Sequence, residues 1–188
     1  MIGKLLEWSG DKEVIHSYII DKAKLDKVLY SKIEDFLQKN PQIAEDLTLW
    51  VTHPFPECLK SLTIASNFIN PLYFKKKEKI RLFRGFIPTK IINFSQRLGF
   101  DRSSKIGEEK KVDLSGKVVS FTEDIKIARD YGSHILETEL EYGKDNFLYF
   151  SDELMAIIYK SALNNKHVTF KEVVVFDPTI ITVKLIEK

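Results

Sequence analysis

The sequence predicts an α+β fold, with an N-terminal helical layer packed on a mixed, mostly antiparallel two-sheet core. Three observations carry this reading. Apolar residues recur at helical spacing up to about position 70, and from residue 80 onward short apolar runs have the texture of strands. Three of those runs each hold one polar residue at a position whose side chain should face the core. The chain reads as one domain, 1–188, with 1–75 the helical layer and 76–188 the strand-rich part.

Taken in order, Val14, Ile15, Tyr18, Ile19, Leu25, Leu29, Ile33, Phe36 and Leu37 mark the first helical stretch. Asn40 before Pro41 ends it and opens the next helix, because a first turn does not need the N–H that proline lacks. His53-Pro54-Phe55-Pro56 breaks that second helix, and Glu57 to Ile69 supplies a third. Lys75-Lys76-Lys77-Glu78-Lys79 reads as a solvated link into the first strand, with a phosphate-binding patch as its functional alternative. Strands are expected at 80–86, 117–122, 134–141, 147–150, 168–176 and 180–186, and helices at 124–131 and 152–163. Asp124 and Ser151 have the chemistry of N-caps, and Gly132 that of a helix stop. Between Ser95 and Lys117 the sequence is polar and reads as a long loop.

Composition narrows the function classes. With 188 residues at 44% hydrophobic, the chain can fill one core. Its 29 basic and 27 acidic residues leave a net charge of +2, which makes no electrostatic case for nucleic acid. The single cysteine, Cys58, excludes an internal disulfide and fits a reducing compartment. No apolar run approaches the ~20 residues of a membrane helix, and the opening MIGKLLEWSGDKE lacks the pattern of a secretion signal. The expectation is therefore a cytoplasmic protein. The four histidines have no metal-ligand spacing.

The three core-facing polar residues are Arg84, Ser120 and Glu172. Alternate residues of a strand share a face. Arg84 therefore goes with Ile80 and Leu82, Ser120 with Val118, and Glu172 with Phe170, Val174 and Phe176. Each has a structural explanation: an Arg84–Glu172 ion pair of doubtful net stability, or a strand-end hydroxyl bonded to backbone. The functional alternative is a carboxylate held in a low-dielectric cleft to stabilise positive charge developing on a sugar. Glu137, Glu139 and Glu141 alternate with Leu136, Thr138 and Leu140, which is the pattern of a solvated outer face.

Spacing adds a further signal. Ser120, Thr122, Asp124, Ala128 and Tyr131 span a strand-to-helix junction; Phe83-Arg84-Gly85 precedes them; Phe170-Lys171-Glu172, three valines and Pro178 follow. In that order the three segments resemble the motifs of mono-ADP-ribosyltransferases of the Arg–Ser–Glu class. That class includes clostridial toxins, vertebrate ecto-enzymes and phage-encoded enzymes that modify host proteins. INPLYF (69–74) is similar to the helix end that precedes the arginine strand in the toxins, so the likeness covers about 69–178. Arg84 stands where the diphtheria-toxin and poly-ADP-ribose branch has histidine. Two positions depart from the family pattern. Phe121 and Thr122 occupy the second and third places of its Ser-Thr-Ser motif, and Phe170 replaces the first carboxylate of its Glu-x-Glu pair.

The resemblance implies an ADP-ribosyltransferase-like core that transfers ADP-ribose from NAD to a macromolecular acceptor, protein before nucleic acid, without a metal or a membrane. It implies that Arg84 holds the NAD phosphate, that Gly85 allows close approach, and that Ser120 and Thr122 line the nicotinamide-ribose region. Glu172 would bond a ribose hydroxyl and stabilise the cation as nicotinamide leaves. Phe170 would meet the acceptor, and its apolar side chain argues against arginine there. An NAD glycohydrolase on the same fold and a non-catalytic binding module are the alternatives. The setting implied is a bacterial cytoplasm, or a host cytoplasm for a phage enzyme, toxin or delivered effector.

Overall fold

The computed structural model describes residues 25–52, 58–88, 98–162, 172–177 and 179–188. The expectations for residues 11–24, the break at His53–Pro56, the start of the loop at Ser95, the strand residues 168–171 with Phe170, and Pro178 lie outside them.

Three helices come first: α1 (Lys27–Lys39), α2 (Pro41–Thr52) and α3 (Leu59–Tyr73). Asp26 starts α1 by accepting the N–H groups of Val28 and Leu29 on Oδ1. Asn40 ends it, donating its backbone N–H to Leu37 O and its side-chain amide to Phe36 O. α2 begins at Pro41 as its sequence requires. α3 runs past the expected end at Ile69 to Tyr73, with Pro71 inside its last turn.

The rest comprises β1 (Lys79–Phe86), β2 (Glu109–Asp113), β3 (Val118–Thr122), α4 (Ile125–Asp130), β4 (His134–Glu141), β5 (Phe147–Tyr149), α5 (Asp152–Ala162), β6 (Glu172–Phe176) and β7 (Ile180–Glu187). Among the described residues these strands form one sheet, ordered β2-β7-β4-β1-β3-β6-β5, and every strand pair is antiparallel. The α+β class holds, while the expected mixed two-sheet core becomes a single antiparallel sheet. The difference hangs on one contact. β1 pairs with β4 from Lys79 to Phe86, yet meets β3 only at Phe83↔Thr122. Side-chain alternation reports which face a residue takes and is silent on whether two strands touch at one rung.

Both halves turn one face to a shared apolar cluster. Leu82 and Phe86 of β1, Leu136 and Leu140 of β4, Phe121 of β3, and Val173 and Val175 of β6 all join it. The sheet therefore curls around this core. The opposite face of β5 and β6, through Leu148, Val174 and Phe176, is covered by α1, α2, α3 and α5. The opposite face of β1 and β4 is divided: near Lys79 it is polar, where Arg81 pairs with Glu137 and Lys79 with Glu139 at 2.6 Å, and near Phe86 it carries Phe83 and Ile135, which pack with Ala128 of α4. Such exposed pairs contribute little stability. Lys75–Lys79 is the solvated link its composition suggests, fixed by Lys77 N–H on Tyr142 O and Tyr142 N–H on Glu78 O.

The two sheet edges are finished differently. β2 lies inside the stretch expected to be a loop, and only its Val112 is buried. A charged outer strand resists pairing with another chain, and the same charges hide it from a pattern search. At the other edge, Asn70 of α3 imitates a strand. Its side-chain amide donates to Phe147 O at 2.6 Å, and its Oδ1 accepts the Tyr149 N–H at 3.1 Å. Asn70 is 3% exposed, so water is not at hand to replace it. Asn70→Ala should cost about 3 kcal/mol, the order expected for stranding two buried backbone groups. Urea unfolding measures this, and a loss below about 0.5 kcal/mol would mean the edge resatisfies itself.

Among the described residues no helix is long and apolar enough to cross a membrane. Cys58 is fully buried.

Candidate functional site

The point where β1 leaves β3 is where the polar residues gather. Phe83 is the one residue of β1 paired with β3, at Thr122. The next residue, Arg84, donates from Nη1 to the Ser120 carbonyl at 2.5 Å. On the far side of β3, Thr122 pairs with Glu172 and Ser120 with Val174, so Ser120 and Glu172 share the face that the helices cover. The Ser120 hydroxyl and the Arg84 guanidinium both favour the charged form of Glu172. The structure thus brings together Arg84, Ser120 and Glu172 from three strands.

Burial dominates the electrostatics. It pushes the Glu172 carboxyl above the usual glutamate range, and Ser120, Arg84 and Trp50 offset only part of this. Burial likewise pulls Arg84 down, with Glu172 and Tyr131 opposing. Both side chains nonetheless keep intermediate exposure. Their charged ends are enclosed by protein while each residue keeps partial exposure, so the three groups form a half-buried recess between β1, β3 and β6.

Tyr131 lies at the edge of this recess. It is the C-cap of α4 and is 55% exposed. Its phenol is pushed up to about 12, by burial first and by the Glu172 charge second, with Arg84 opposing. The residue is thus half open to solvent while its phenol feels the charges of both Glu172 and Arg84. Tyr131 is also the last residue of the sequence pattern that begins at Ser120.

The junction from β3 to α4 is locally determined. Asp124 caps α4 by accepting the Lys126 N–H at 2.9 Å, and the Thr122 hydroxyl accepts the Asp124 N–H at 3.2 Å. Thr122 is 6% exposed, so it lies beside Glu172 with its oxygen engaged in the turn. Gly85 does permit a close approach, but the backbone that approaches is that of α4: a Cβ there would lie 1.7 Å from Ala128 O. Gly132, expected as a helix stop, follows the same logic, since its Cβ would lie 2.2 Å from the Phe86 carbonyl carbon. Glycine at both positions seats α4 on β1.

Trp50 was not legible as part of the site. It comes from α2, is 4% exposed, and its Nε1 is buried without a partner at hydrogen-bonding geometry. It still favours the charged form of Glu172. Nothing in the sequence near Trp50 connects it with a residue more than a hundred positions away.

Together these groups offer a fixed cation, a hydroxyl and a carboxylate at the floor of one recess, with an aromatic ring at its edge. The set suits a ligand that carries anionic oxygens at one end and develops positive charge at the other. Among the described residues no group of three or more His, Cys, Asp or Glu side chains converges as a metal site requires. Comparison of the chain with protein-family models, with curated proteins and with solved structures finds no match.

Proposed function

We propose that this chain is an NAD-dependent mono-ADP-ribosyltransferase that transfers ADP-ribose to a protein acceptor and releases nicotinamide. The observation that carries the reading is the convergence of Arg84, Ser120 and Glu172 in a half-buried recess. Arg84 meets the phosphate through its planar fork of donors. Ser120 keeps arginine and glutamate in register, as its carbonyl already does for Arg84. Glu172 accepts a hydrogen bond from a ribose hydroxyl and faces the positive charge that grows as the bond from ribose C1′ to the nicotinamide nitrogen breaks. The bonding pair leaves with nicotinamide, the acceptor's lone pair closes on C1′, and the acceptor's proton passes to solvent. A carboxylate preorganised in this way stabilises charge that water would otherwise have to reorganise around.

Phe170 stands where relatives of this chemistry place a carboxylate on the acceptor side. An apolar ring neither orients a guanidinium nor takes its proton, so the product should not be an arginine adduct. The test is incubation of the protein with NAD labelled in its adenylate part and a bacterial lysate, followed by mass spectrometry of labelled proteins. Wild-type protein should label discrete species, and Glu172→Gln should not. Absence of both nicotinamide release and labelling would sink the reading. Nicotinamide release without transferred label would make water the acceptor, and a clean set of modified arginines would overturn the role given to Phe170.

A further inference from the structure

We infer that Trp50 is a positioning residue for Glu172, delivering its indole N–H from α2 to the carboxylate at the floor of the recess. This rests on the reading of Glu172 as the charge-stabilising group, and it adds a task for the helical layer that lies over the sheet.

The physical argument begins with an orphan. Trp50 is 4% exposed, and its Nε1 has no partner at regular hydrogen-bonding geometry. A buried indole N–H normally finds an acceptor, and leaving it without one is costly. Trp50 packs in the cluster that contains Val174 and Phe176, against which Val118 also lies. Those residues share a face with Ser120 and Glu172 along β3 and β6, so the indole belongs to the core that this face covers. Of the two, only Glu172 carries a charge for a donor to stabilise, and Trp50 does shift the balance toward its charged form. A donor held by core packing acts on an ionised carboxylate without the entropy cost that a flexible surface side chain pays.

The chain has two tryptophans, so its nitrogen-labelled form gives two indole signals, and Trp50→Phe assigns one of them. The indole signal of Trp50 should shift with pH in a single titration that disappears in Glu172→Gln. Among the described residues, the other titratable groups facing Glu172 are Arg84 of β1 and Tyr131 at the end of α4. Arginine stays charged throughout, and the Tyr131 phenol is pushed up to about 12, so between roughly pH 4 and 9 a response that is lost in Glu172→Gln belongs to Glu172. In turnover, Trp50→Phe should lower kcat about tenfold, the size expected when a supporting group is lost, with KM for NAD within about twofold. It should also move the acid limb of the rate profile upward. An indole signal that ignores pH, or that titrates identically in Glu172→Gln, would overturn the assignment whatever the stability of Trp50→Phe. If the wild-type protein does not consume NAD, the proposed reaction fails while the indole titration still decides the role of Trp50.

Discussion

Glu172→Gln should reduce nicotinamide release from NAD about 100-fold or more, the order seen when a preorganised electrostatic group is removed. Glutamine keeps the shape and one acceptor oxygen and loses only the charge. KM for NAD should change far less than kcat, because Arg84 and its bond to Ser120 O remain. Retention of near-wild-type turnover would remove Glu172 from the chemistry.

The same substitution has a stability counterpart whose sign is fixed. Burial raises the folded-state pKa of Glu172 above its unfolded value, despite Ser120 and Arg84. Between those two values the folded protein binds more protons than the unfolded chain, so stability falls as pH rises through that window. The penalty is absent below the ordinary glutamate range and complete above the raised value. Glu172→Gln cannot pay it. The difference in melting temperature between variant and wild type should therefore grow in the variant's favour as pH is raised from about 4. The attraction to Arg84 acts only on the ionised carboxylate and is already contained in the raised value, so it does not change the sign. A carboxylate that burdens the fold and serves turnover is the pattern expected of functional residues.

How much of this was legible depends on the distance over which each determinant acts. The α1–α2 boundary follows from two adjacent residues, Asn40 and Pro41. β4 has the limits expected because Leu136 to Glu141 alternates, and the adjacent apolar pair Ile135–Leu136 is taken up by a shift of register against β7. The caps Asp124 and Ser151 hold through local bonds, to Lys126 N and Leu154 N. The site was legible as three misplaced polar residues, yet strand parity alone would have separated them. Leu82, which shares alternation with Arg84, faces the shared core, and Val118, which shares it with Ser120, packs toward the helices. They meet because β1 parts from β3 directly after Phe83 and a long guanidinium reaches across the gap. That gap is a tertiary event without a local signature. β2, the single sheet and Trp50 escape for the same reason, since each depends on what lies opposite.

Gly85→Ala should be the most damaging small substitution in the strand-rich part of the chain, for stability and for turnover together. The added methyl would lie 1.7 Å from Ala128 O and 2.7 Å from Ala128 C. Both are backbone atoms of α4, so no rotamer change relieves the overlap, and either β1 or α4 must move by more than about 1 Å. Gly132 closes the other side of the contact, where a Cβ would meet the Phe86 carbonyl carbon at 2.2 Å, so α4 has little room to slide. Overpacking of this kind costs about 3 kcal/mol, which urea unfolding will register. The loss of turnover should exceed what a small unfolded fraction explains. Arg84 immediately precedes Gly85, and α4 ends in Tyr131, so the displaced elements are those that hold two sides of the recess. A misplacement near 1 Å costs on the order of 100-fold in rate. Turnover per folded molecule should therefore fall by that order at a temperature where circular dichroism finds Gly85→Ala folded. Wild-type stability and turnover in this variant would show that α4 does not rest on β1 at Gly85, and the recess would lose the wall it depends on.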